Sequence, residues 1–231
     1  MTLTKQHFLA LACTPLLAAS VNAAPISWSI VDVTGVNGIG DAAVSTNGTT
    51  IEAANFAGFG GAPNVIINGI TFDGIDFLNS GNPTNLIGLN YNNSQSGNGE
   101  TFGTDSINLM LDTIGFRSQQ NVTDADLTGL IIGQQYEVQF FLSHTNTSTR
   151  TQEIDDGEGN SIIMKNADPS QAVTGVFTAD DVKQFVRFDN LSSGSQLLSG
   201  YQLRLVPEPS SLALLGLGGL MIARRRREPL M

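Results

Sequence analysis

The chain has 231 residues, a formal net charge of −10 and 25 glycines, and only 14% of its residues are charged. That length holds one or two ordinary domains, and so few charged helix formers argue against a coiled coil or a helical bundle. The acidic balance likewise argues against a nucleic-acid binder.

The first segment has the layout of a secretory signal. Lys5 and His7 make a short positive leader, and Phe8–Leu17 is apolar. Small residues follow, with Val21-Asn22-Ala23 placing a cleavage site between Ala23 and Ala24. Ten apolar residues rise about 15 Å as a helix, half of a bilayer core of about 30 Å. Residues 1–23 therefore read as a signal peptide for the Sec translocon, and Cys13 leaves with it. The remaining body, 25–205, holds six basic and nineteen acidic residues, a net of −13, with no cysteine and one histidine.

That body reads as a series of short strands. Ile26–Val33 mixes β-branched and aromatic residues and runs into Gly35, Asn37 and Gly38. Val65–Ile67 and Ile70–Phe72 flank Asn68-Gly69, the preferred pair for a type I′ hairpin because both central positions need positive φ. The stretch 81–103 reads as a long loop with one strand near Leu86–Tyr91. Ile107–Leu111 alternates, which predicts a strand. Gln135–Ser143 puts Tyr136, Val138, Phe140 and Leu142 on one face. Further strands are expected at Ser161–Met164, Val173–Phe177, Lys183–Phe188 and Leu197–Leu205. Turn clusters recur about every ten residues, and no long amphipathic helix intervenes. The expected fold is all-β, a single antiparallel β-sandwich of the jelly-roll type spanning 25–205.

The last segment is the most specific. Val206-Pro207-Glu208-Pro209 is an extended break, since two prolines around one residue continue neither strand nor helix. The fourteen uncharged residues Ser210–Ala223 follow, about 21 Å as a helix, and then Arg224, Arg225, Arg226 and Arg227. Arginines can snorkel, and by the positive-inside tendency they stay cytoplasmic, leaving the body outside. This order of triplet, hydrophobic transmembrane segment and Arg cluster, over 206–229, resembles the PEP-CTERM sorting signal of Gram-negative bacteria. The resemblance implies transient inner-membrane anchoring and cleavage near Pro207–Pro209 by an exosortase. It implies delivery to the cell surface or extracellular matrix. A second resemblance covers Leu127-Thr128-Gly129-Leu130, Gly133 and Tyr136-Glu137-Val138, with Trp28, Ser45–Thr49 and Tyr201-Gln202-Leu203. These resemble lectin-like jelly-roll domains found upstream of such tails, and they imply a turn leading into a central strand.

Catalytic patterns are scarce. His144 is the one histidine of the body, there is no G-x-S-x-G elbow, and zinc would need more ligands than one His without Cys. Gly58-Phe59-Gly60-Gly61 lacks the Lys-Ser/Thr of a phosphate loop. Nineteen acids would bring some pair to glycosidase spacing by chance, and aromatic platforms are few. No catalytic residue is assigned, and the protein is expected not to be an enzyme. Calcium is the one ion with candidate ligands: Glu153, Asp155, Asp156, Glu158 and Asn160 lie in a loop made flexible by Gly157 and Gly159. An exposed acidic hairpin between 151–154 and 161–164 is the plainer reading of the same residues. Asp124-Ala125-Asp126-Leu127-Thr128-Gly129 echoes the start of an EF-hand-like loop, with Gln135 where the bidentate Glu should stand. The Asn-x-Ser/Thr sites at Asn47, Asn92, Asn121, Asn146 and Asn190 read as surface turns.

Three functions fit these observations. The first is an exported, non-enzymatic surface or exopolysaccharide-associated protein. The second is a carbohydrate-binding module, with calcium as an optional ligand, which would expose Tyr91 and Phe102 beside the 81–103 loop. The third and weakest is an exported polysaccharide hydrolase.

Overall fold

Period-2 segments pair into three sheets in the computed structural model, which describes residues 24–56, 63–77, 83–89, 91, 93–96, 105–117, 122–143, 150–165, 170–192 and 195–207. The strands are β1 (Ser27–Asp32), β2 (Thr49–Phe56), β3 (Val65–Ile67), β4 (Ile70–Ile75), β5 (Leu86–Ile87), β6 (Asn93–Ser96), β7 (Thr113–Arg117) and β8 (Val122–Thr128). They continue as β9 (Gln135–Leu142), β10 (Thr151–Asp155), β11 (Ser161–Lys165), β12 (Gln171–Thr178), β13 (Lys183–Asn190), β14 (Gln196–Leu198) and β15 (Gly200–Val206). A 3-10 turn (Gly40–Ala43) and a helix, α1 (Ile107–Leu111), complete the described elements.

A seven-stranded sheet in the order β1-β12-β9-β15-β2-β4-β3 faces a five-stranded sheet, β11-β10-β13-β8-β5, and a three-stranded one, β14-β7-β6. The fold is all-β as expected. The pairing is antiparallel apart from β2 with β4, which run parallel with Ala54 opposite Asp73. The chain reverses before β3, and the tight β3–β4 hairpin then returns β4 to a place between β3 and β2. At that hairpin Asn68 has φ of 49° and Gly69 of 78°, the two left-handed positions that a type I′ turn demands.

The core lies between the sheets. Val138, Phe140 and Leu142 of β9 and Tyr201 and Leu203 of β15 meet Leu127, Ile154, Val186 and Phe188 of the five-stranded sheet. Phe140 and Phe188 cross edge-on with ring centres 5.0 Å apart. The other face of the large sheet is also covered. Phe141, Ala53 and Phe72 pack there against Ile107, Met110 and Leu111 of α1. β9 is thus buried on both faces, beyond the one apolar face its alternation showed.

Residues 107–111 form a helix, correcting the strand expected there. Ile107, Met110 and Leu111, at i, i+3 and i+4, are buried, while Leu109 is exposed. Five residues hold too little of either period to separate helix from strand. The helix start is stabilised from afar, because the Asp41 carboxylate accepts from the N–H groups of Ser106 (3.2 Å) and Ile107 (2.7 Å).

The single strand expected over Leu197–Leu205 divides at Ser199. β14 pairs with β7, whereas β15 pairs with β9 and β2. Gly200 makes the crossing feasible, since a Cβ there would lie 2.5 Å from Met110 Sδ and 2.8 Å from the Ala54 carbonyl oxygen. The turn into β9 matches the expectation from its motif. The N–H of Ile131 donates to the buried Tyr136 hydroxyl at 2.8 Å, and β9 lies inside the sheet.

Candidate functional site

The outward face of the five-stranded sheet is built by alternation. On β8, Thr123, Ala125 and Leu127 point inward, which turns Asp124 and Asp126 outward. On β13, Gln184, Val186 and Phe188 are buried, which turns Phe185 and Arg187 outward. The register sets Phe185 opposite Asp126 and Arg187 opposite Asp124. The Arg187 guanidinium holds Asp124 through two bonds, Nε–Oδ1 at 2.7 Å and Nη2–Oδ2 at 3.1 Å. It also sits 5.5 Å from the Phe185 ring centre. The hydrogen bond from Arg187 to Asp124 raises the arginine's pKa above its ordinary value. Lys183 Nζ reaches Asp126 Oδ2 at 3.0 Å.

Between β5 and this pair of strands lies a shallow cavity of about 300 Å³, lined by Ile87, Gly88, Asp124, Ala125, Asp126 and Phe185. Gly88 permits its shape. Its φ is +99°, and a Cβ there would come within 2.8 Å of the Asp124 carbonyl oxygen. One aromatic face with carboxylates and a guanidinium around it can pack a flat apolar surface and hydrogen-bond hydroxyl groups.

The EF-hand-like echo at 124–129 lies on β8 and the turn that follows it. Asp124 and Asp126 stand on a paired strand and are matched by cations from β13, so they do not curl around an ion. Two of the three inward residues of β8, Thr123 and Ala125, are too small or polar for a strong alternation signal. Phe185 was likewise hidden, because both phases of Lys183–Asn190 carry apolar residues and the sequence does not say which phase faces out.

Of the acidic stretch 153–160, Glu153 and Asp155 stand on β10, paired with β11, and 156–160 form the hairpin tip. Asp156 is fully buried, and its carboxylate accepts from the N–H groups of Ile26 (2.8 Å), Glu158 (2.8 Å) and Asn160 (3.1 Å) and from the Asn160 side-chain amide (2.8 Å). Burial alone would raise its pKa, but these four donors outweigh it and hold the carboxyl below its usual value. Glu153 accepts from the Ser161 hydroxyl, and Asp155 from the N–H of Gly157. Among the described residues no group of three or more His, Cys, Asp or Glu side chains is arranged to hold a metal ion. Asp156 is turned to backbone donors, and its role is to fasten the start of β1 to this hairpin.

Tyr91 is buried, not exposed as expected of a ligand platform. Its ring lies 4.9 Å from Phe77, and its hydroxyl accepts from Gln196 Nε2 at 2.6 Å. Burial raises its pKa despite that bond. Phe102, His144 and 58–61 lie outside the described residues. So do Asn92, Asn121 and Asn146, while Asn47 is exposed and Asn190, expected on a surface turn, is buried.

The second site is the pole where the tail leaves. β15 ends with Val206 buried and paired to Gln135, and Pro207 next to it is exposed. The chain enters at the same pole, where the N–H of Ala24 donates to Asp180 Oδ1 at 3.1 Å. Ala23, Glu208, Pro209, the 210–223 run and Arg224–Arg227 lie outside the described residues. Among the described residues no helix is long and apolar enough to cross a membrane.

No curated protein matches the chain in sequence. Among solved structures it is similar to the CBM22-1 xylan-binding domain of Xyn10C from Paenibacillus barcinonensis. That match has 9% identity and a TM-score of 0.36, over 71% of this chain and 98% of that one. It is also similar to part of a family GH115 4-O-methyl-α-glucuronidase with specificity for decorated arabinogalactans, at 12% identity and a TM-score of 0.32 over 53% of this chain. The matched region spans 17% of the glucuronidase. Residues 205–227 match the family model of the PEP-CTERM protein-sorting motif. The chain thus carries a PEP-CTERM sorting signal that begins at the end of its last described strand, the mark of an exported, surface-targeted protein that an exosortase processes.

Proposed function

We propose that this protein is a non-enzymatic cell-surface or exopolysaccharide-associated protein, held briefly in the inner membrane and released when an exosortase cuts near Pro207–Pro209. The sorting motif carries the reading. The motif begins at residue 205, within β15, and Pro207 is exposed just past the paired strand, so a cut there leaves every described strand in place. Protein released at the surface is expected to have an intact mass lacking Arg224–Arg227. Full-length protein in that fraction would contradict the proposal. The body's net charge of −13 keeps it soluble and repels anionic polysaccharide unless divalent cations bridge the two.

A second reading, carbohydrate binding, is favoured by the cavity beside Phe185. Here a sugar ring stacks on Phe185 while Asp124, Asp126 and Arg187 hydrogen-bond its hydroxyls. Phe185→Ala is expected to weaken binding to a responsive polysaccharide about tenfold, or about 1.4 kcal/mol, in titrations run with calcium and with chelator. The ring is half-exposed, so the melting temperature should move little. If no polysaccharide binds in either condition, this second reading falls and a structural matrix role remains.

A further inference from the structure

The pole at which the described body begins and ends carries an apolar tip. Ile131 and Ile132, adjacent in the turn before β9, are 62% and 60% exposed, and Val182 in the loop before β13 is 58% exposed. The two loops are fastened to each other, because Leu130 donates to the Val182 carbonyl at 3.1 Å and Gly133 to the Ala179 carbonyl at 2.7 Å. The tip is also rigid. The Ile131 N–H is held by the Tyr136 hydroxyl, and Tyr136 is buried and stacked on Phe177 at 5.7 Å. A fixed loop that keeps two consecutive isoleucines in water lacks the collapse that would hide them, so their exposure calls for a partner.

The tail's reach identifies that partner. Gln135, the first residue of β9, pairs with Val206, so the tip is one turn from the point where the tail departs. From Val206 to Ser210, where the apolar run begins, the chain takes four Cα-to-Cα steps and spans at most about 14 Å. The headgroup layer on one side of a bilayer is about 5–8 Å deep. Fourteen residues would rise about 21 Å if helical, short of a core of about 30 Å, and that shortfall would draw the pole closer still.

We propose that this pole, with Ile131, Ile132 and Val182 at its tip, is a membrane-docking surface that rests on the phospholipid bilayer while the tail still anchors the chain. The proposal rests on the anchored precursor described above. Asp180 and Asp181 share the loop with Val182, and Lys183 is paired with Asp126, so charge does not draw the tip to an anionic surface. The contact is apolar and weak, and the tether supplies the local concentration that keeps it made. Cleavage of the tail removes that concentration, and the body leaves.

The test uses the full chain in vesicles of phosphatidylethanolamine and phosphatidylglycerol (3:1), on a Cys13→Ser background. Single variants Ile131→Cys and Val182→Cys carry an environment-sensitive dye, and Val36→Cys beyond the opposite end of β1 is the control. Headgroup-attached nitroxide lipid should quench the dyes at 131 and 182 several-fold more than the dye at 36. Equal quenching at all three positions in protein that floats with the vesicles would overturn docking while leaving anchoring intact. Protein that fails to float with them would overturn anchoring and docking together. Dyes shielded at 131 and 182 solely when exosortase-bearing membranes are used would assign the tip to a protein surface, and the lipid proposal would fall.

Discussion

Arg204→Leu is expected to destabilise the fold by about 3–5 kcal/mol, the scale for removing a buried charged donor from the acceptors it satisfies while a carboxylate stays buried nearby. Arg204 is 2% exposed. Its guanidinium donates to the carbonyls of Asn47 (2.6 Å) and Gly48 (2.9 Å), to Thr50 Oγ1 (2.5 Å) and to Gln202 Oε1 (3.4 Å). Burial lowers its pKa, and the charge of Glu137, opposite it on β9, acts to raise it. Without the arginine, Glu137 stays buried with Oε1 already lacking a hydrogen-bond partner, and the carbonyls of Asn47 and Gly48 lose their side-chain donor. Urea titration should show the midpoint falling. The double variant Arg204→Leu/Glu137→Leu should recover at least half of the loss, because two matched apolar side chains remove the stranded charge. A double variant no more stable than Arg204→Leu would show that the carbonyl contacts, and not Glu137, set the cost.

Asp156→Ala should cost about 3 kcal/mol at neutral pH, because four donors lose a charged acceptor and the Ile26 N–H stays buried. The sign with pH follows from the lowered pKa of Asp156. A carboxyl depressed on folding contributes its full stability above its unfolded pKa of about 4, and loses it as pH falls through the folded value. The gap between wild type and Asp156→Ala in chemical denaturation should therefore be widest near pH 7 and shrink below pH 4. A gap that stays constant down to pH 2 would mean that the carboxylate's charge is not what the four donors respond to.

Local chemistry made much of the fold legible. Asn68-Gly69 announces its turn because positive φ at two consecutive positions suits few other pairs. The β10–β11 hairpin closes over five residues, so strand and turn are read in one window. Strands whose inward side chains are alanines were harder to see. β2 buries Ala53 and Ala54 and β8 buries Ala125, and such small groups barely register as alternation. Tyr91 looked like a loop aromatic because nothing local shows that Phe77, Phe56 and Gln196 close over it. The cavity beside Phe185 was invisible for a related reason, since β5, β8 and β13 come together solely through long-range pairing. The sorting signal was read in full because its parts follow one another along the chain and need no folding to be recognised.

β15 lies between β9 and β2, so the large sheet remains two separate halves until residues 200–206 arrive. In an exported chain that strand crosses the membrane last among those described. On the export route proposed above, completion of the sandwich waits for residues 200–206, which run into the sorting signal. A chain that stalls before this point lacks both a finished sheet and a cleavable tail. On that route folding and release are consecutive, because the strand that joins the two halves of the sheet runs into the motif that is cut.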